Sequence, residues 1–160
     1  MRWMNCWEAA DGEGETEGVD YSFIGHERFR ELVEQGSFLE WAEVHGNLYG
    51  TLKESIERIL SEGRDAVLEI DVQGALQVKD SMPEAVLVFI LPPSEEELRN
   101  RLDRRGTEKE EDLKGRLKEA RNEILLSARY DHLVVNDDLD RALEALRKII
   151  ESYRAPGQTP

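Results

Sequence analysis

The sequence predicts an α/β fold: a parallel sheet flanked by helices, with a small lobe inserted at the sheet edge. Three observations predict it. Ala66-Val67-Leu68-Glu69-Ile70-Asp71 carries four apolar residues in six and runs on to Gly74, the pattern of a buried strand. Val86 to Leu91 is a second continuous apolar run, typical of a parallel strand covered on both faces. From Leu52 onward such runs alternate with helical periodicities, as in βα units. The stretch 18–51 does not alternate this way and reads as a separate lobe.

Residues 1–17 hold two Trp, two Met and Cys6 before an acidic, glycine-rich run, and show no periodicity. They read as an irregular N-terminal segment. Val19 to Ile24 can form a short strand. Glu27 to Gln35 reads as a helix with Phe29, Leu32 and Val33 on one face and Gly36 as its stop. In Phe38 to His45, Phe38, Glu40, Ala42 and Val44 point one way, so Glu40 is a carboxylate on the more apolar face. Gly46-Asn47 is a turn signal, and Leu48 to Thr51 returns as the hairpin partner. Leu52, Ile56, Ile59 and Leu60 mark a helix closed by Gly63. After the strand at 66–71 comes a short helix with Leu76 and Val78. Pro92-Pro93 ends the second apolar run, and Ser94 with Glu97 forms a capping box for a helix carrying Leu98 and Leu102. Gly106-Thr107 breaks that helix. Leu113, Leu117, Ala120 and Ile124 define a long amphipathic helix. His132 to Val135 is a short strand, and Asp138 caps a last helix with Leu139, Leu143, Leu146 and Ile150 on one face. The division is thus 1–17, a lobe at 18–51, and 52–160 as the remainder of the α/β core.

Formal net charge is −14, from 35 acidic against 21 basic residues, which disfavours non-specific binding to nucleic acid or anionic membranes. One cysteine excludes an intrachain disulfide and a cysteine metal cluster. The longest apolar run is too short to span a bilayer, and the start has no apolar signal region, so a cytoplasmic protein is expected.

Side chains alternate along a strand, so Val67, Glu69 and Asp71 share one face. Two carboxylates at the carboxyl end of a sheet strand suit a ligand with N–H donors, a cation, or both. Equally, Arg or Lys from a neighbouring element can satisfy them. Arg101 and Arg105 share a helical face, and Arg116 opens the next helix across Gly106. Arginines on either side of a glycine-bearing loop can form a lid over phosphates, or a solvated face paired with Glu95, Glu97 and Glu108. Tyr21, Glu40, Tyr49 and Thr51 form the other cluster: phenols donate to phosphate, and a carboxylate accepts two parallel N–H bonds from guanine. The plainer reading is a core with two ordinary tyrosines.

Phe38-Leu39-Glu40-Trp41-Ala42-Glu43-Val44-His45-Gly46-Asn47-Leu48-Tyr49-Gly50-Thr51 resembles the nucleotide-monophosphate lobe of guanylate kinases. So do Gly18-Val19-Asp20-Tyr21, Leu68 to Gly74, Leu91-Pro92-Pro93-Ser94, Arg104-Arg105-Gly106-Thr107 and Val135-Asn136-Asp137-Asp138, in family order from about Gly14 to Tyr153. The resemblance implies a P-loop kinase fold with a helical lid around 101–116, and transfer of phosphate from ATP to GMP with Mg2+. By the same resemblance, Tyr21 and Tyr49 hold the GMP phosphate; Glu40, Thr51 and Glu69 read guanine; Asp71 serves the GMP or magnesium side. Arg101, Arg105 and Arg116 become lid arginines on ATP and the transferring phosphoryl, with Asn136 near the adenine. No protein metal site is expected.

The sequence departs from the family at its start. The family's P-loop, G-x-x-x-x-G-K-[ST], cradles the ATP phosphates, and this sequence has no Gly-Lys pair. Where the family's two phosphate-gripping arginines belong, Ala9 and Gly12 stand. The expectation is a guanylate kinase missing its first strand, P-loop and those arginines, through a misplaced or frame-shifted start. The rival is a non-catalytic guanylate-kinase-like module binding a nucleotide or phosphopeptide. An unpaired sheet edge is expected to favour self-association.

Overall fold

A computed structural model describes residues 5–7, 21–44, 47–104 and 110–154. The chain divides into two units, Met1–Ala85 and Val86–Pro160, each taken by itself.

The first unit is built on a four-stranded sheet of β1 (Asn5–Trp7), β2 (Tyr21–Phe23), β3 (Phe38–Val44) and β4 (Asn47–Leu52), in the order β2-β1-β4-β3. β3 and β4 form the expected antiparallel hairpin, with Trp41 opposite Gly50 and Ala42 opposite Tyr49. β1 runs parallel to β2 and antiparallel to β4. The expectation of an irregular segment over 1–17 is corrected here: Asn5–Trp7 is a strand. Its own residues carry no alternating pattern; the strands on both sides supply its ladder.

Helix α1 (His26–Glu34) ends at Gly36, whose φ of 64° is the left-handed turn that glycine adopts without steric cost. The helix delivers Phe29 into the core, where its ring stacks on Phe38 with centroids 4.5 Å apart. Register shifts between Phe38 and Glu40, and the consecutive side chains of Phe38 and Leu39, on opposite faces of the strand, enter different clusters. Phe38 joins Phe29, Leu32, Val33 and Leu52. Leu39 joins Ile56 of α2 (Lys53–Ser61) and Val78 of α3 (Val72–Ser81).

The strand expected at 66–71 does not form: the residues have no regular secondary structure. Their alternation survives all the same. Ala66, Leu68 and Ile70 pack on the cluster of Leu39, Ile56 and Val78, while Val67 and Glu69 face solvent. A strand exists only with a hydrogen-bonded neighbour, and among the described residues none is paired with this segment. Asp71, expected to end a strand, instead caps α3.

In the second unit, β5 (Val88–Leu91) pairs in parallel with β6 (His132–Val135), Val88 opposite His132 through Leu91 opposite Val135. Around it lie α4 (Glu95–Arg104), α5 (Glu110–Leu126), a 3-10 turn (Ser127–Arg129) and α6 (Leu139–Tyr153). Both expected caps form: Glu97 N–H donates to Ser94 Oγ at 3.1 Å, and Arg141 N–H to Asp138 Oδ1 at 3.1 Å. Asp131 accepts from Leu87 N–H at 2.8 Å, and Phe89 meets Tyr130 edge-to-face at 4.9 Å, which fixes the start of the β-pair. No helix among the described residues is long and apolar enough to cross a membrane.

Candidate functional site

Among its described residues, the first unit buries one carboxylate. Glu40 on β3 is 5% exposed, and Thr51, its register partner on β4, is 0% exposed. Strand pairing sets them side by side, and the Thr51 hydroxyl donates to Glu40 Oε1 at 2.6 Å. The N-terminus of α3 closes on the other oxygen. A Cβ on Gly74 would stand 2.6 Å from Glu40 Oε2 and 3.3 Å from Asp71 Oδ1, so only glycine permits this approach. Asp71 Oδ1 itself accepts from Gly74 N–H at 2.7 Å. Glu40, Thr51, Asp71 and Gly74 therefore converge, from a hairpin and a helix start that are distant in sequence.

Burial pushes the Glu40 carboxyl above the ordinary carboxylate range. The Thr51 hydroxyl bond opposes this, the Asp71 charge adds to it, and the Thr51 backbone opposes it again. An uncompensated carboxylate inside a protein is costly. Protonation, a cation or a group with two parallel N–H donors facing its remaining lone pairs would relieve that cost. Among the described residues no group of three or more His, Cys, Asp or Glu could hold a metal ion. A cleft of about 260 Å3 nearby, lined by Phe38, Leu39, Trp41 and Gln77 among others, includes none of Glu40, Thr51 or Asp71.

The other expected residues fall as follows. Tyr49 is half-buried on β4, two residues before Thr51. Tyr21 lies on β2 by its backbone; its side chain and all of Arg105 lie outside the described residues. Glu69 is exposed on the segment that forms no strand. In the second unit, Arg101 and Asn136 meet: the Arg101 guanidinium donates to Glu97 Oε1 at 2.8 Å and to the Asn136 carbonyl at 2.9 Å. Arg116 is half-buried on α5. Two residues of the site escape the sequence reading. Gly74 reads there as a strand end, although Asp71 three residues earlier is a helix-cap spacing that signals its place in a helix start. Gln77 bonds to Trp41, thirty-six residues away, and no local pattern signals that.

Residues 9–153 match the family model for guanylate kinase. A curated guanylate kinase of Caldanaerobacter subterraneus is 52% identical over 137 residues, covering 86% of this chain and 66% of that protein. That of Thermotoga maritima is 48% identical over 152 residues, covering 95% and 73%. The crystal structure of guanylate kinase from Anaplasma phagocytophilum matches with a TM-score of 0.77 at 34% identity, over 97% of this chain and 77% of that one. The chain thus spans about two thirds of the length of the first of these relatives. With the match covering nearly the whole sequence, and with an α/β fold to go with it, the chain belongs to the guanylate kinase family.

Proposed function

We propose that this chain serves the guanylate kinase reaction, transfer of the γ-phosphoryl of ATP to GMP to give GDP and ADP. The observation that carries the reading is the buried Glu40–Thr51 pair. A Glu40 carboxylate accepts guanine N1–H and the exocyclic amine together. Adenine presents an acceptor at N1 and has no 2-amino group, so it leaves the carboxylate unpaired. Sites built to hydrogen-bond a substrate reject analogues that lack the partner. Asp71 and Glu69 complete the GMP side on this reading, with Tyr21 and Tyr49 donating to its phosphate. Arg101, Arg105 and Arg116 stabilise the charge of the transferring phosphoryl, and Asn136 lies by the adenine of ATP. Magnesium would arrive bound to the phosphates of ATP and would neutralise charge on the transferring phosphoryl.

The sequence holds no Gly-Lys pair, and so no G-x-x-x-x-G-K-[ST] cradle. Expressed alone, these 160 residues should bind GMP in preference to AMP but transfer phosphoryl at a negligible rate. Calorimetric titration with each nucleotide, beside a coupled assay for ADP release, tests both parts. Equal affinity for GMP and AMP would overturn the guanine assignment. Turnover at an ordinary kinase rate, with host enzyme excluded, would overturn the need for the P-loop.

A further inference from the structure

Among the described residues, β3 is the outer strand of the first unit's sheet, so one side of its backbone has no strand to pair with. At Trp41, the residue after Glu40, a side chain takes that place. Trp41 N–H donates to Gln77 Oε1 at 3.2 Å, and Gln77 Nε2 donates to the Trp41 carbonyl at 2.8 Å. One amide satisfies both backbone groups of one residue, as a neighbouring strand would. Gln77 stands on α3 three residues after Gly74, hence on the same helix face. That face meets β3 at two consecutive residues: Gly74 against the Glu40 carboxylate and Gln77 against the Trp41 backbone.

We infer that Gln77 is a positioning residue for base recognition, its amide clasp holding β3 against α3 so that Glu40 sits at a fixed depth between Thr51 and Gly74. The inference rests on the guanine reading proposed above and names what sets its geometry. Both bonds of the clasp act on the strand next to the reading carboxylate, so their loss lets Glu40 drift from the plane in which two N–H donors meet it. Discrimination is then lost more than binding.

The test uses Gln77→Met, which keeps length and packing and removes both hydrogen bonds. Lys79→Met is the control: on the same helix, Lys79 Nζ donates to the Ala85 carbonyl at 2.7 Å, away from Glu40. GMP and AMP are titrated into each 160-residue chain at a temperature where circular dichroism shows all to be folded. Gln77→Met should weaken GMP binding severalfold, with AMP binding little changed. Lys79→Met should leave the ratio of the two affinities alone. An unchanged ratio in Gln77→Met, or an equal loss in Lys79→Met, would overturn the positioning role. No preference for GMP in the unsubstituted chain would instead sink the guanine reading itself. Should Gln77→Met fail to fold, amide exchange in the unsubstituted chain decides. The Trp41 N–H should be as protected as amides bonded between β3 and β4, and exchange at the rate of an open sheet edge would overturn the clasp.

Discussion

Both units carry exposed ion pairs, Arg28 with Glu31 in the first for one, but among the described residues only the first buries a charge. In the first, Glu40 is buried with a threonine as partner and a second carboxylate close by. In the second, charges meet as exposed or half-exposed ion pairs: Arg101 with Glu97, Arg121 with Glu95, Arg141 with Asp137. Surface pairs gain little because water competes for both partners. A buried carboxylate costs stability and gains chemistry, because its lone pairs are held dry and aimed. A single substitution at the buried carboxylate should therefore matter in binding, and one at a surface pair hardly at all.

Glu40→Gln should break it most sharply. An amide cannot accept both guanine donors, so GMP affinity should fall at least about a hundredfold, the scale on which hydrogen-bonding sites reject a mismatch. Stability should not fall with it. Burial raises the Glu40 pKa, so the folded state holds that proton more tightly than the unfolded chain does. Its contribution to stability is therefore full below the ordinary carboxylate value of about 4.3 and is lost as pH rises through the raised folded value. Glutamine has no such proton to lose. The Glu40→Gln chain should therefore gain on the unsubstituted one across that window in denaturation curves, and the gap should stay constant above it. GMP affinity of the unsubstituted chain should rise over the same window, as the carboxylate ionises. A pH-independent difference would contradict the buried carboxylate.

Thr51→Val comes next. It keeps the shape but removes the hydroxyl that donates to Glu40 Oε1. Leaving a buried acceptor unsatisfied costs about 1–3 kcal/mol, to be read from urea denaturation near neutral pH. The same change at low pH should cost less, since a protonated Glu40 asks less of its donors. Gly74→Ala is smaller in stability and larger in function. Alanine in a helix usually gains about 1 kcal/mol over glycine. Here its Cβ needs the space of Glu40 Oε2, and the glutamate side chain can yield. Stability should stay near the original while GMP affinity drops severalfold in titration. A stable variant with full affinity would mean that Glu40 need not sit against α3.

The same contrast explains what is legible in the sequence. The β3–β4 hairpin is, because Gly46-Asn47 lies between alternating runs and each residue's face is set locally. The caps at Ser94 and Asp138 are, because a cap is a spacing of three residues. Glu40 stands out as a carboxylate on an apolar face, and the structure buries it. For the segment 66–71 the pattern is right about burial and wrong about pairing: apolar alternation records which side chains go inward, not whether a neighbouring backbone exists. β1 escapes for the mirror reason, since its neighbours and not its residues make it a strand. Gln77's bond to Trp41 is a tertiary fact with no local trace.

Arg121→Ala should have the smallest effect and so marks the other end of the comparison. Arg121 pairs with Glu95 across α5 and α4, with side chains 61% and 64% exposed. Both groups keep most of their water, and closing the pair costs side-chain freedom that offsets the attraction. The expected loss is below about 0.5 kcal/mol, less in high salt because screening weakens exposed pairs. Arg101→Ala is the sharper companion in the same unit, since Arg101 also donates to the Asn136 carbonyl and so ties α4 to the turn before α6. Its loss should exceed that of Arg121→Ala and persist in salt, because the bond to a neutral carbonyl is screened less than an ion pair. Thermal melts of both variants at low and high ionic strength measure this. If Arg121→Ala proved as costly as Thr51→Val, exposure would not be what separates the two units, and the contrast drawn from Glu40 would fail.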